Sequence, residues 1–343
     1  MRSVIVVRAL PGLGDFLCAV PALRALRAAA PDAQITLLGL AANRPLVDRF
    51  AGYVDELLEL PGYPGLPEQP VDVRVIPGFL AGVQQRGADL VLQLHGSGVV
   101  TNGLAVLLGG RVTAGTYLPG QWCPDERTFL PYQEGESEVT RPLRVLEHVG
   151  IPSRGTALEF PRRDEDDAAL HDLFRRMRLK RGEYVCIHPG SSNRAKRWPA
   201  DDFLAVGRAL AAQGLRVAVT GVAGEAELTA RVARGIGRAA VDLAGACALG
   251  TTAALLAESR LLVCNDTGVS HLAAALRVPS VVVMPWSDHS RWAPLDRTRH
   301  RGVPAPGRST AGGDLRSEVT AAALELAEIR EDAPGAASRS VAI

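Results

Sequence analysis

The sequence predicts an α/β chain of two doubly wound domains in tandem, facing each other across a cleft. Three observations carry that expectation. Short β-branched apolar runs alternate with longer Ala/Leu/Arg-rich stretches, the mark of a parallel sheet covered by helices. The alternation lapses near residues 159–167 and then restarts. The chain has 343 residues, which suits two domains at roughly 100–200 residues each.

The elements follow in order. Residues 4–7 read as a buried strand, 19–30 as a helix, and 35–38 and 89–94 as strands. Residues 119–138 carry Trp122, Cys123, Pro124, Phe129, Pro131 and Tyr132 without periodicity and read as an ordered loop. Residues 141–149 are helical, and Gly150-Ile151-Pro152 ends them. The first domain is placed at 1–165 and the second at 166–330. In the second, 184–188 is a strand, 201–213 a helix stopped by Gly214, 215–220 a strand and 225–236 a helix. Strands follow at 240–243, 261–265 and 280–284. Residues 302–313 read as a Pro/Gly/Ser-rich loop, 315–330 as a last helix and 331–343 as a disordered tail.

Composition narrows the function. Apolar residues are 47% of the chain and charged residues 22%, enough for ordinary cores and a soluble surface. The formal net charge is +1, from 38 basic and 37 acidic side chains. It supplies no bulk field for nucleic acid. Cys18, Cys123, Cys186, Cys247 and Cys264 form no C-x-x-C pair and suit reduced thiols in a cytoplasmic protein. Cys186 and Cys264, inside apolar runs, read as core residues. No apolar stretch reaches the ~18 residues of a membrane span. Arg8 and the following Pro-Gly-Leu-Gly-Asp turn break up what would otherwise resemble an export signal.

Four strand-to-helix junctions hold chemistry. Pro11-Gly12-Leu13-Gly14-Asp15 follows the first strand. Its glycines let a ligand approach the helix start, but no third glycine completes a dinucleotide fingerprint. Asp15 is either an acidic residue favoured at a helix N-terminus or a general base in a cleft. His188-Pro189-Gly190-Ser191-Ser192, followed by Lys196-Arg197-Trp198-Pro199, offers hydroxyls, amides and two cations to a phosphate. Its plain alternative is a solvated basic loop with the Trp-Pro pair packed as a staple. Asn265-Asp266-Thr267-Gly268, leading through Ser270 and His271 into an Ala-rich helix, presents amides to a diphosphate. Alone it reads first as a helix capped by Asp266 or Thr267 with a buried His271. In Gly221-Val222-Ala223-Gly224-Glu225-Ala226-Glu227, either Glu225 or Glu227 could bind ribose hydroxyls or simply favour the helix start. No D-x-D beside a strand, H-E-x-x-H or G-x-S-x-G is present, so no metal site is expected.

Together, Gly12 to Asp15, His188 to Pro199 and Asp266 to Leu276 resemble motifs of glycosyltransferase family 9, the ADP-heptose:lipopolysaccharide heptosyltransferases. The order and spacing fit over about residues 1–300. Residues 138–152 resemble the family's helix before the interdomain link. The resemblance implies a GT-B fold of two Rossmann-like domains, with acceptor on the first and nucleotide sugar on the second. It implies an inverting, metal-independent transfer in which the nucleotide sugar is substrate and no separate cofactor is needed. Gly12, Gly14 and Asp15 would form the acceptor side, Asp15 being the base. Lys196 would neutralise the leaving diphosphate. Gly190, Ser191, Ser192, Thr267 and Gly268 would contact the phosphates, Asp266 would order the loop, and His271 would support it by hydrogen bonding.

The donor expected is ADP-heptose and the acceptor a glycan, a lipid-linked molecule or a small soluble one. For a membrane-linked acceptor the enzyme could touch the inner membrane face through Arg24 and Arg27, otherwise a solvated helix face. The family favours a monomer. Two other functions share this architecture: a nucleotide-sugar 2-epimerase, whose own carboxylates and His pattern are not found, and a non-catalytic nucleotide-sugar-binding protein on the same scaffold.

Overall fold

A computed structural model describes residues 1–304 and 314–328. It divides into two compact units, Met1–Pro161 and the part from Arg162 onward, except that Ser290–Trp292 group with the first.

The first unit holds β1 (Ser3–Val7), α1 (Leu13–Ala29), β2 (Gln34–Gly39), α2 (Arg44–Arg49), β3 (Glu56–Glu59), α3 (Ile76–Arg86), β4 (Leu90–Gln93), α4 (Thr101–Leu107), β5 (Val112–Tyr117), β6 (Phe129–Pro131) and α5 (Thr140–His148). Its strands form one parallel sheet in the order β3-β2-β1-β4-β5-β6. The strand order reverses between β1 and β4, and the crevice outside the carboxyl ends at such a point is where α/β sheets bind ligands.

The second unit repeats the plan. It holds α6 (Asp164–Met177), β7 (Tyr184–His188), α7 (Ala200–Ala212), β8 (Arg216–Val219), α8 (Ala226–Ile236), β9 (Ala240–Asp242), α9 (Leu249–Ala257), β10 (Leu262–Asn265), α10 (Gly268–Ala275), β11 (Ser280–Met284), β12 (His300–Pro304) and α12 (Leu315–Glu328). The short α11 (His289–Trp292) lies between β11 and β12. The sheet is again parallel, ordered β12-β11-β10-β7-β8-β9, with its reversal between β7 and β10. Phe203, Val206 and Leu210 of α7, Val232 of α8 and Val319 and Leu326 of α12 bury one face of it. Cys186 and Cys264 are core residues in adjacent strands.

Several elements differ from the sequence reading. Helix α1 begins at Leu13 and runs through Pro21. Starting it at residue 19 would place Pro21 in the first turn, where the missing N–H costs nothing. Residues 119–138 are not all loop, because Phe129–Pro131 pairs with β5 as an edge strand that tolerates its proline. A boundary at 165/166 would cut α6, whose first turn is Asp164 to Asp167. Gly302 to Pro304 belong to β12, not to a loop. Residues 305–313, 329–330 and the tail 331–343 lie outside the described residues. No described helix is long and apolar enough to cross a membrane.

Arg24 and Arg27 are not a solvated helix face but are mostly buried and paired within the first unit. Their side chains are 17% and 13% exposed. Arg24 donates to the carbonyls of Ala157 and Gly155 and pairs with Glu159, while Arg27 pairs with Asp55 at 2.6 Å.

Candidate functional site

In the first unit the chemistry gathers where β1 and β4 end. Gly12 is the N-cap residue of α1 and makes no side-chain cap, so the carboxylate of Asp15, in the first turn, serves the helix start. That carboxylate folds back over Gly12: a Cβ built there would overlap Asp15 Oδ2 and stand 3.3 Å from its Cγ. Gly12 has φ −76° and ψ 136°, which any residue adopts, so a side chain here would not strain the backbone but would shift the Asp15 carboxylate. Gly14 is buried in the same turn.

Arg8, 4% exposed, follows β1 and ties this turn to the rest. Its Nε donates to the Asp15 carbonyl at 2.9 Å and its Nη1 to the Leu94 carbonyl at 2.5 Å. Its Nη2 lies 3.8 Å from Glu138 Oε2. Glu138, also 4% exposed, accepts from Arg291 Nε at 2.6 Å and pairs with Arg141. The Glu138 N–H donates to the Arg291 carbonyl at 3.1 Å. Arg141 in turn holds the preceding loop through the Glu136 and Gln133 carbonyls at 2.9 and 3.3 Å.

Burial raises the Asp15 pKa above its ordinary value; the Glu138 charge adds to that, while Arg8 and Arg291 oppose it. For Glu138, burial would push the same way, but Arg8, Arg141 and Arg291 outweigh it and hold its pKa low. Beside them, His95 Nδ1 accepts from the Ala9 N–H at 3.3 Å, which assigns its proton to Nε2, 3.6 Å from Glu68. Burial lowers the His95 pKa, Arg8 assisting and Glu68 opposing. Asp15 is thus a half-buried carboxylate with raised proton affinity, the property a general base needs.

In the second unit the residues gather where β7 and β10 end. Lys196 Nζ reaches Asp266 Oδ2 at 3.4 Å. Asp266 is buried, and Lys196 keeps 35% of its side chain exposed. Thr267 is the N-cap residue of α10 but makes no side-chain cap bond, and the Asp266 carboxylate takes Lys196. The expected cap is therefore not made by Thr267, and the first-turn amides of α10 keep their positive end without a capping hydroxyl. His271 is buried in that helix.

Asn265, fully buried, is the brace of this corner. Its Oδ1 accepts from the Trp198 N–H at 2.9 Å, and its Nδ2 donates to the Pro189 and Gly190 carbonyls at 2.8 and 3.2 Å. Trp198 packs edge-on against Phe203, ring centroids 5.0 Å apart. Arg197 donates to the Ser191 carbonyl at 2.7 Å and to Glu225 Oε1 at 2.9 Å.

The structure separates the two glutamates. Glu225 is buried: its Oε1 takes Arg197 and its Oε2 the Val222 N–H at 3.1 Å, and it packs against Gly190, where a Cβ would overlap its carboxylate. Glu227 is exposed on the first turn of α8. Of the expected phosphate contacts, Ser191 is buried and Ser192 exposed.

Sequence reasoning assigned no role to Glu138, Arg141, Arg291, His95 or Asn265, and took Arg8 only as a break in an apolar run. A charge at the end of a buried strand, as at Arg8, was the one available signal. The others reveal themselves only through contacts between distant positions.

Residues 83–302 match the sequence family described as glycosyltransferase family 9 (heptosyltransferase). The chain is similar to lipopolysaccharide heptosyltransferase 3 of Escherichia coli (strain K12), with 26% identity over 295 residues, covering 82% of each chain. Among solved structures it resembles a glycosyl transferase family 9 protein from Veillonella parvula DSM 2008, at a TM-score of 0.77 and 20% identity over 95% of this chain and 97% of that one. It also resembles E. coli ADP-heptose lipopolysaccharide heptosyltransferase II, at a TM-score of 0.69 and 19% identity over 95% and 98%. At these identities the structural likeness speaks to the fold.

Proposed function

Because the chain belongs to glycosyltransferase family 9, with the GT-B fold, and is therefore a glycosyltransferase, we propose that it moves heptose from ADP-heptose to a hydroxyl of a lipopolysaccharide-type glycan. The relatives' names support this donor and acceptor: one is a lipopolysaccharide heptosyltransferase and another is described with ADP-heptose.

In this reading Asp15 takes the proton from the acceptor hydroxyl. The oxygen attacks the anomeric carbon, and the bond from that carbon to the diphosphate oxygen breaks, its electron pair leaving with ADP. One displacement inverts the centre. The charge growing on the diphosphate is met by Lys196 and by the amides of Thr267, Gly268 and Val269 at the α10 start, without a metal ion or a separate cofactor. Glu227, the exposed glutamate, takes the ribose role, while Glu225 and Arg197 hold the loop that carries Gly190, Ser191 and Ser192.

The observation that carries the proposal is the Lys196–Asp266 pair beside an α10 N-terminus without a side-chain cap, at the strand-order reversal of the second sheet. Calorimetry with ADP, UDP, GDP, TDP and CDP tests it. The account expects ADP to bind most tightly and Lys196→Ala to weaken it about tenfold or more. Equal binding of all five, or ADP binding indifferent to Lys196→Ala, would contradict the donor assignment.

A further inference from the structure

We propose that Glu138 is a positioning residue for Asp15: by gathering Arg8, Arg141 and Arg291 it sets how much positive charge the Asp15 carboxylate meets. This rests on the reading of Asp15 as the base.

The geometry is that of a charge divider. Arg8 is fixed by two hydrogen bonds, from Nε to the Asp15 carbonyl and from Nη1 to the Leu94 carbonyl, and its Nη2 faces Glu138 at 3.8 Å. Arg291 is gripped at both ends by one residue, its Nε by the Glu138 carboxylate and its carbonyl by the Glu138 N–H. Arg141 closes the third side and anchors the loop before α5. Glu138 is nearly inaccessible to water, so its neighbours feel its charge with little screening.

Were that charge removed, Arg8 and Arg291 would lose the carboxylate between them and act on Asp15 undivided. Arg8 after β1, Glu138 before α5 and Arg291 of α11 act on Asp15, while Arg141 faces Glu138, and His95 after β4, with Glu68 beside it, faces Arg8 and Glu138. Burial lowers the His95 pKa, and Glu138 is the carboxylate whose charge opposes Arg8 and Arg291 at Asp15. A base stripped of that opposition binds its proton less tightly and is a weaker base.

The test is a carbon-13 NMR titration of the full chain labelled at aspartate Cγ, the Asp15 resonance assigned by its loss in Asp15→Asn. Glu138→Gln is expected to lower the Asp15 midpoint by roughly one pH unit. Arg291→Gln, which removes a cation, is expected to raise it, and Glu138→Asp to keep it near the wild-type value. Unchanged midpoints in Glu138→Gln and Arg291→Gln, with only thermal stability altered, would overturn the proposal and leave Glu138 a structural ion-pair partner. If Glu138→Gln does not fold, Arg291→Gln decides alone: a raised midpoint supports the proposal and an unmoved one overturns it. Turnover of Asp15→Asn, measured in parallel, keeps the two readings apart. An active Asp15→Asn defeats the base assignment, whereas the midpoints judge the charge coupling.

Discussion

The Asp15 carboxylate lies over the Cα of Gly12, in space that any side chain at position 12 would fill. The backbone there is ordinary, so the constraint falls on the carboxylate and not on the fold. Gly12→Ala is therefore expected to leave the melting temperature nearly unchanged and to cut turnover about a hundredfold, the cost of displacing a reacting group by about an ångström. Paired thermal melts and initial rates check this. Full activity in Gly12→Ala would separate Asp15 from the chemistry.

Asn265 is the opposite kind of residue. It contributes three hydrogen bonds from a fully buried position and joins the Trp198, Pro189 and Gly190 backbone to the end of β10. Asn265→Ala strands those groups and is expected to cost about 2–4 kcal/mol of stability. ADP affinity should fall with it, since the same bonds shape the loop that carries Lys196. Urea unfolding and calorimetry read the two effects.

Gly190 and Glu225 make a parallel case to Gly12 and Asp15. Gly190→Ala would push the Glu225 carboxylate away from Arg197 and the Val222 N–H. The expected result is weaker ADP binding, by about tenfold, with the first unit's cluster undisturbed. Calorimetry with ADP, alongside the Asp15 titration midpoint, checks both halves of that statement.

How far the sequence carried these conclusions depends on the range of the forces involved. Tyr184–His188 and Ser280–Met284 match the strands read from sequence, because strands buried on both faces are unbroken apolar runs. Glu56–Glu59 and Phe129–Pro131 were not read, the first being charged at both ends and the second three residues long with a proline. The helices α6 and α9 also went unassigned.

At the site, Asp15, Lys196 and Asp266 stood out because reactive side chains at strand-to-helix junctions announce themselves locally. The structure brings Lys196 and Asp266 together across 70 residues. Arg8, Glu138 and Arg291 did not stand out. Their meaning is mutual, and no local pattern pairs positions 8, 138 and 291.

His300 gives a pH prediction for stability. It is buried and bonded to Ser280 at 2.8 Å. Burial lowers its pKa from 6.5 to about 4, Asp296 opposing and Arg299 assisting. The unfolded chain takes up this proton near pH 6.5, the folded one only near pH 4. Stability is thus fully present above 6.5 and is lost as pH falls from there to about 4, by about 3 kcal/mol in all. His300→Gln should flatten that part of the profile. An equal slope in both proteins, measured by urea unfolding between pH 7 and 4.5, would remove His300 from the acid sensitivity.

The most direct test of the account is the transfer rate of Asp15→Asn, with ADP-heptose as donor and heptose-free lipopolysaccharide as acceptor. The account predicts a loss of about 100- to 10,000-fold in turnover, the range of a general base, with ADP affinity unchanged because the diphosphate is assigned to Lys196 and the α10 amides and not to Asp15. An Asp15→Asn enzyme that transfers heptose at the wild-type rate would contradict it.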